Sequence, residues 1–435
     1  MAGLEETPDP AGQRRDEGDL DAVTGQMAAE LLSVSHLIPP GGVADALARA
    51  ARPLGIAAAH VYLADLQQRH LVPMPARDGS GDHEHEDELP IDSTLAGRAY
   101  QTVTIQSARL PGDDETYQVW VPLMDGSDRV GVLSVASSNV SDAMLRRYRA
   151  LASLAGIMIV AKSSYSDMYA QVNRSRPMAL QAELVWALLP PRTFATERVL
   201  ISAVLEPAYE AGGDAFDYSL LGDHLHVSIF DALGHDLSAG LLASVSIASC
   251  RSSRRSGGTL VDIAAAVDAA IAGSFGEDRF ATALLCDLDL VGGIFTWIPC
   301  GHPPPLLIRA RTVKELARDA LPPLGLAGLH ARDEAGSRDD AAAVPLNTES
   351  LQPGDRILLY TDGVTEGRAP DGTPFGVERL VDFIIRHSSA QLPAPEVMRR
   401  LNHAILEYQD GRLRDDATTV LIEWQPDQPA RTFTP

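Results

Sequence analysis

The stretch VSIFDALGHDLSAGLL, Val227–Leu242, decides how this chain is read. Leu225, Val227 and Ile229 alternate as one buried side of a strand does, and Asp231 falls on the same parity. A carboxylate carried to the core side of a strand is costly unless a counter-charge or a set of donors meets it. Gly234, His235 and Asp236 then end the strand, and Asp236 is placed to N-cap a helix beginning at Leu237. The rest of the sequence must supply what meets Asp231.

Three further segments end in carboxylates. Asp214 directly follows Gly212 and Gly213, where glycine lets a backbone approach an ion or a phosphate closely. DRILLYTDGVTEG, Asp355–Gly367, is an apolar strand that ends at Asp362 and turns at Gly363. RDDATTVLIEW, Arg414–Trp424, enters a strand through Asp415 and Asp416. Any one of these is an ordinary turn residue. Together they suit a hard divalent cation, which takes oxygen ligands and keeps several waters. No cluster of histidines or thiolates competes for zinc or iron.

At 435 residues the chain exceeds one ordinary core and implies two or three domains. A net charge of -23 argues against nucleic acid and anionic membranes as partners. The short cluster Arg251, Arg254 and Arg255 reads as a solvated helix end. Cys250, Cys286 and Cys300 follow no zinc spacing and fit a reducing compartment. Neither a membrane span nor a signal peptide is written in the sequence, so the expected location is cytoplasmic.

Residues 1–21, polar and rich in Pro, Gly and charge, read as a disordered tail. Two amphipathic helices follow, around Ala28–Leu32 and Val43–Ala50. His60–Ala64 and Leu71–Val72 read as a hairpin, STLAGRAYQT as a helix capped by Ser93, and YQVWVPLM and RVGVLSVAS as strands joined by the turn DGSD. A helix from Asp142 to about Lys162 closes the unit. This order resembles a GAF domain over 22–162, a class that binds small molecules, cofactors or nothing; any ligand here is unknown. DHEHEDE, Asp82–Glu88, reads as a solvated acidic loop rather than a metal site. Over the linker 163–191, Leu180, Leu184, Ala187 and Leu188 form an apolar stripe that Pro190 and Pro191 terminate. That helix is either ordinary packing or a transmitter between domains.

AGGDAFDY, FDALGHDLSAGLLA, FATALLCDLDLVGGIFTWIPCGHPPPLLI, LPPLGL, LQPGDRILLYTDGVTEGR and DDATTVLIEW succeed one another from Ala211 to Trp424. The series resembles bacterial metal-dependent Ser/Thr protein phosphatases of the stage II sporulation protein E kind, related to protein phosphatase 2C. The resemblance implies an α+β chain: a GAF-like α/β sensor domain, then an α-β-β-α sandwich over 192–425 and a tail over 426–435. It implies that Asp231 bridges two Mn²⁺ or Mg²⁺ ions, with the Ala232 carbonyl as a neighbouring ligand. Asp214 would serve the second ion, Asp362 and Asp415 the first, and Asp416 stands where the family has Asn or Asp. Two such ions, about 3.5–4 Å apart, activate a water for in-line attack on a phosphoryl group.

The Cys-x5-Arg loop of thiol phosphatases, a P-loop and a dinucleotide fingerprint are all missing from the sequence. His302, in CGHPPPLLI, reads as a structural turn residue or as a proton donor to the leaving group. Asp236 departs from the family's Gly-His-Gly step. It supports the alternative of a non-catalytic binding scaffold unless it is only a helix cap. The substrate implied by the resemblance is a phosphorylated anti-sigma factor antagonist, with a homodimer through the GAF-like domain and the segment Leu180–Leu189 as a further expectation.

Overall fold

The computed structural model describes residues 10–426 apart from 57, 76–86, 277, 329–343, 345, 389–391, 412 and 414. The chain forms two compact units, one ending at Ser175 and the other beginning at Arg176. Residues 82–86 of the acidic loop lie outside the described residues.

In the first unit, α1 (Pro10–Val34) and α2 (Val43–Ala51) precede β1 (Ala58–Ala64), β2 (His70–Pro73) and β3 (Leu89–Pro90). Then come α3 (Leu95–Thr102), β4 (Gln106–Leu110), β5 (Asp113–Asp125), β6 (Asp128–Ser137), α4 (Asp142–Ser163) and α5 (Asp167–Asn173). The sheet is antiparallel in the order β3-β2-β1-β6-β5-β4. Its alternating strands feed two cores. Val61, Leu63, Val121, Leu133 and Val135 pack with Leu47, Tyr148, Leu151 and Ile159 from α2 and α4 on one face. Tyr62, Leu71 and Val132 pack with Ala96, Ala99 and Tyr100 from α3 on the other. Two sequence readings shift. The helix α1 begins at Pro10, inside the stretch read as a disordered tail, because Ala11, Gln13, Arg14 and Arg15 are good helix formers and Pro is tolerated at a first turn. The cap of α3 is Thr94 rather than Ser93: its Oγ1 accepts from the Gly97 amide at 3.0 Å.

The second unit opens with α6 (Leu180–Trp186), β7 (Thr193–Ala195), β8 (Val199–Glu206), β9 (Asp214–Leu221) and β10 (His224–Ala232). The helices α7 (Leu237–Arg255) and α8 (Leu260–Phe275) follow, then β11 (Ala281–Asp289), β12 (Ile294–Cys300), β13 (Leu306–Arg309), β14 (Thr312–Glu315), β15 (Asn347–Ser350) and β16 (Arg356–Tyr360). A short helix at Asp362–Glu366, two longer ones at Gly376–Ser388 and Ala394–Tyr408, and β17 (Ala417–Trp424) complete it. One sheet runs β15-β12-β11-β10-β9 and the other β14-β13-β16-β17-β8-β7, both antiparallel. Leu225, Val227 and Ile229 of β10 share a buried core with Ile201, Ala203, Val420 and Ile422 of β8 and β17, and through Phe230 on the other face of the sheet this core continues into the apolar faces of α7 and α8. Val204, Leu358 and Leu421 point the other way, against Leu380, Ile384, Met398 and Leu401 of the two long C-terminal helices. The result is the expected α-β-β-α sandwich.

Two linker and surface readings are corrected here. In α6 the buried positions are Ala182 and Val185, whereas Leu180 is 61% exposed. Of the stripe read from Leu180, Leu184, Ala187 and Leu188, Leu188 packs half-buried against the core and Leu184 is half-buried, while Leu180 and Ala187 are exposed, because the helix lies against α7 where Gly240 admits Gln181. Nor is the basic cluster a solvated helix end. Arg251 and Arg254 both pair with Asp217, at 2.7 and 2.8 Å, and that carboxylate is 1% exposed. Arg251 also donates to the Leu188 carbonyl at 2.6 Å. Removing one partner of a buried ion pair strands the other charge, at a cost of about 3–5 kcal/mol. Asp217→Ala is thus expected to lower the unfolding free energy of this unit by that order, and its urea midpoint accordingly. Unchanged stability in urea titration would mean that the two guanidiniums find water instead.

Candidate metal centre

The centre is assembled where strand ends from both sheets meet. Asp214 opens β9 and Asp231 is the penultimate residue of β10, and the two are direct partners in the antiparallel register. Paired side chains on one face lie about 5 Å apart at Cβ, so the carboxylates are forced together by register alone. From the other sheet, Thr361 leaves β16, Asp362 opens the short helix, and Asp415 and Asp416 lead into β17. The Thr361 amide donates to the Thr418 carbonyl at 3.0 Å, which holds these two ends side by side.

Asp416 joins the sheets. Its Oδ2 accepts from the amides of Gly212, Gly213 and Asp214 at 2.7, 2.6 and 3.2 Å. Thr361 Oγ1 donates to Asp214 Oδ2 at 2.7 Å and accepts from the Thr418 amide at 2.9 Å. The Ala232 amide donates to the Gly213 carbonyl at 3.0 Å, so the turn after Asp231 is tied to the turn before Asp214. Two glycines are sterically required. A Cβ on Gly213 would lie 2.7 Å from the Ala232 oxygen, and one on Gly363 would lie 2.0 Å from the Asp416 oxygen.

Crowding raises the carboxylates above their ordinary range. Burial, then Asp231 and Asp416, pushes Asp214 well up. Burial, then Asp362, Asp415 and Asp416, pushes Asp231 up to about 7. Asp362 is raised by burial, Asp415 and Glu366. Asp416 is raised by burial against the opposing pull of its three amides. Asp415 is exposed, and its Oδ1 accepts the Asp416 amide at 2.9 Å.

The structure therefore brings Asp214, Asp231, Ala232, Asp362, Asp415 and Asp416 to one place. Among the described residues no three His, Cys, Asp or Glu side chains are grouped closely enough to hold a metal ion by themselves. A hard cation that retains several waters does not need such a group. The all-oxygen donor set and the mutual repulsion of its carboxylates fit divalent cations of the Mg²⁺ or Mn²⁺ type. Thr361 and the structural use of Asp416 were missed in the sequence. The only available signals were the threonine directly before Asp362 and the doubling of aspartate at 415–416.

The two open readings also resolve. His302 is 5% exposed, its Nδ1 lies 2.7 Å from Thr282 Oγ1, and burial drives its pKa down to about 3. It is neutral at physiological pH and unsuited to donate a proton as imidazolium. Thr282 is the strand partner of Asp231, so His302 buttresses the floor of the centre. Asp236 caps α7, accepting from the Ala239 amide at 3.0 Å, and its carboxylate faces solvent beside Arg279 at 3.7 Å. The scaffold alternative loses the feature it rested on.

A helix-flanked two-sheet sandwich with carboxylates gathered at its strand ends is the arrangement that the sequence resemblance implied. Residues 222–425, within the C-terminal unit, match the family of Stage II sporulation protein E (SpoIIE). Protein IcfG of Synechocystis sp. is 25% identical over 251 residues, covering 51% of this chain and 37% of IcfG. The chain thus spans little more than a third of that relative. Phosphoserine phosphatase RsbU of Bacillus subtilis is 24% identical over 249 residues, covering 56% of this chain and 68% of RsbU. The solved SiaA-PP2C domain of Pseudomonas aeruginosa is 20% identical with a TM-score of 0.46, covering 56% of this chain and 94% of that domain.

The raised carboxylates bind more protons in the folded state than in the unfolded one between the usual aspartate value and about 7. Metal-free stability consequently falls as pH rises through that window. At pH 7 the metal-free Asp231→Asn variant is expected to be more stable than the parent by roughly 1–3 kcal/mol. Mn²⁺ should raise the parent's melting temperature and leave the variant's nearly unchanged; equal shifts in differential scanning calorimetry would place metal binding elsewhere.

Proposed function

We propose that this chain is a metal-dependent protein serine/threonine phosphatase whose metal ligands are Asp214, Asp231, Asp362, Asp415 and the carbonyl of Ala232. The observation that carries this reading is the convergence of carboxylates from both sheets, close enough to raise one another, with Asp231, Asp362 and Asp415 inside the residues that match this family. Two bound Mn²⁺ or Mg²⁺ ions supply charge neutralisation and an activated water for attack on a phosphoryl group. The chain's own residues fix the geometry. Asp416 clamps the Gly212–Asp214 turn, Thr361 orients Asp214, and His302 with Thr282 stiffens the strand beneath Asp231. No thiol is poised to act as a nucleophile in their place, because Cys250, Cys286 and Cys300 are all buried and burial raises each.

A phosphorylated anti-sigma factor antagonist is the substrate we propose, in keeping with the relative named phosphoserine phosphatase RsbU. The first unit is proposed as a GAF-like sensor over 22–162, coupled through 163–191, with dimerisation through that unit and Leu180–Leu189. A cytoplasmic location accords with the three unpaired cysteines and with the lack, among the described residues, of a helix long and apolar enough to cross a membrane.

The test is hydrolysis of p-nitrophenyl phosphate and of a phosphoserine peptide, with Mn²⁺ and with chelator. Turnover is expected only with metal, and Asp231→Asn is expected to reduce it by about 10²–10³-fold or more, as loss of charge stabilisation at a reacting centre does. Absence of turnover in folded, metal-loaded protein would overturn the reading. Thr361→Val is expected to weaken Mn²⁺ binding by about 10-fold, the lower end for loss of a ligand-orienting hydrogen bond; unchanged affinity in a metal titration would remove its positioning role.

A further inference from the structure

We propose that the phosphatase domain carries a second, non-catalytic site for a small organic anion, a carboxylate or phosphate borne on a compact apolar body. The site is a cavity of about 370 Å³ at the opposite end of β10 from the carboxylates. His226, which lines it, precedes Asp231 by five strand positions, roughly 16 Å. Strand parity also turns His226 to the helix-covered face of the sheet, away from the face that carries Asp231.

Three features point into this cavity. His226 is only 5% exposed, yet among the described residues its one hydrogen-bond contact is Nε2 to Cys250 Sγ at 3.5 Å, leaving Nδ1 without a protein partner. Nδ1 is not among the described side-chain atoms that are both fully buried and unpartnered, so it is open to water or to a ligand in the cavity. Arg254 lines the same wall and spends only Nη1 on Asp217, at 2.8 Å. Since Arg251 shares that carboxylate, two guanidiniums face one aspartate, and among the described residues the Nε and Nη2 donors of Arg254 are left without a protein partner. Finally, α8 starts at the cavity: Thr259 caps it, and Asp262 is folded back on Thr259 in a capping box. The exposed positive end of a 16-residue helix favours an anion.

Leu260 and Ile263 supply an apolar wall for the rest of the molecule. Asp287, which also lines the cavity, is paired with His224 at 2.8 Å, an ion pair only while His224 is protonated. The volume lies within the range of small-molecule sites, about 300–1,000 Å³.

The experiment is calorimetric titration of the intact chain in chelator with benzoate and with phenylphosphonate. Without metal the carboxylate cluster repels both probes, so the measurement is independent of the phosphatase reading. Saturable binding of either probe, with a dissociation constant of about 1 mM as fits a fragment of this size, is expected. Benzoate alone would assign a carboxylate ligand and phenylphosphonate alone a phosphate; binding of both would assign the shared oxyanion. His226→Leu and Thr296→Trp, the second of which fills the cavity while leaving His226 and Arg254 in place, are each expected to weaken binding by about 10-fold or more, equivalent to about 1.4 kcal/mol. Asp231→Asn should leave it unchanged. No saturable heat from either probe, binding that survives both cavity variants, or binding abolished by Asp231→Asn would overturn the proposal.

Discussion

One carboxylate, that of Asp416, holds the two sheets in the relation on which the metal centre depends. It accepts three consecutive amides from the turn that opens β9, while its own backbone enters β17 in the opposite sheet. Three amide donors offset much of the desolvation of a buried carboxylate, as hydrogen bonding to the charged form does. Without that clamp, nothing in the strand pairing would fix Asp214 against Asp362 and Asp415, because those residues belong to different sheets.

The centre stores electrostatic stress that the fold alone does not relieve. Asp214 and Asp231 are placed side by side by register, and packing buries Asp214 and half-buries Asp231. Thr361 and the backbone amides relieve part of this by hydrogen bonding. The remainder is charge repulsion, which a divalent cation removes and a proton can only partly replace. The cost of the site is thus matched to the chemistry it would perform, and the rigid cores on either side of each sheet keep the strand ends from relaxing apart.

The same sheet meets a different electrostatic problem at its other end, with the sign reversed. Asp217 is buried three positions into β9 and is met by two arginines from the last turns of α7. That pairing anchors α7, whose first turn begins at Asp236 just beyond the metal centre. It also sets Arg254 beside a partly open cavity. One strand and one helix therefore span an acidic centre and a cavity lined by His226 and Arg254.

Much was legible from local pattern. The alternation through Leu225, Val227 and Ile229 placed Asp231 on the core face, the glycine pair marked a close approach before Asp214, and Asp236 was readable as a cap. Each rests on period, parity or turn chemistry, which neighbouring residues determine. The tertiary structure decided the rest. Asp416 reaches Gly212 across 204 residues of chain, Thr361 meets Asp214 across 147, and Arg251 meets Asp217 across 34. No local period encodes such partners. The face by which α6 packs was likewise misread, because Gly240 on another helix admits Gln181 and leaves Leu180 outside. Sequence fixes which side of its own element a residue occupies; which distant group meets it there depends on how the elements pack.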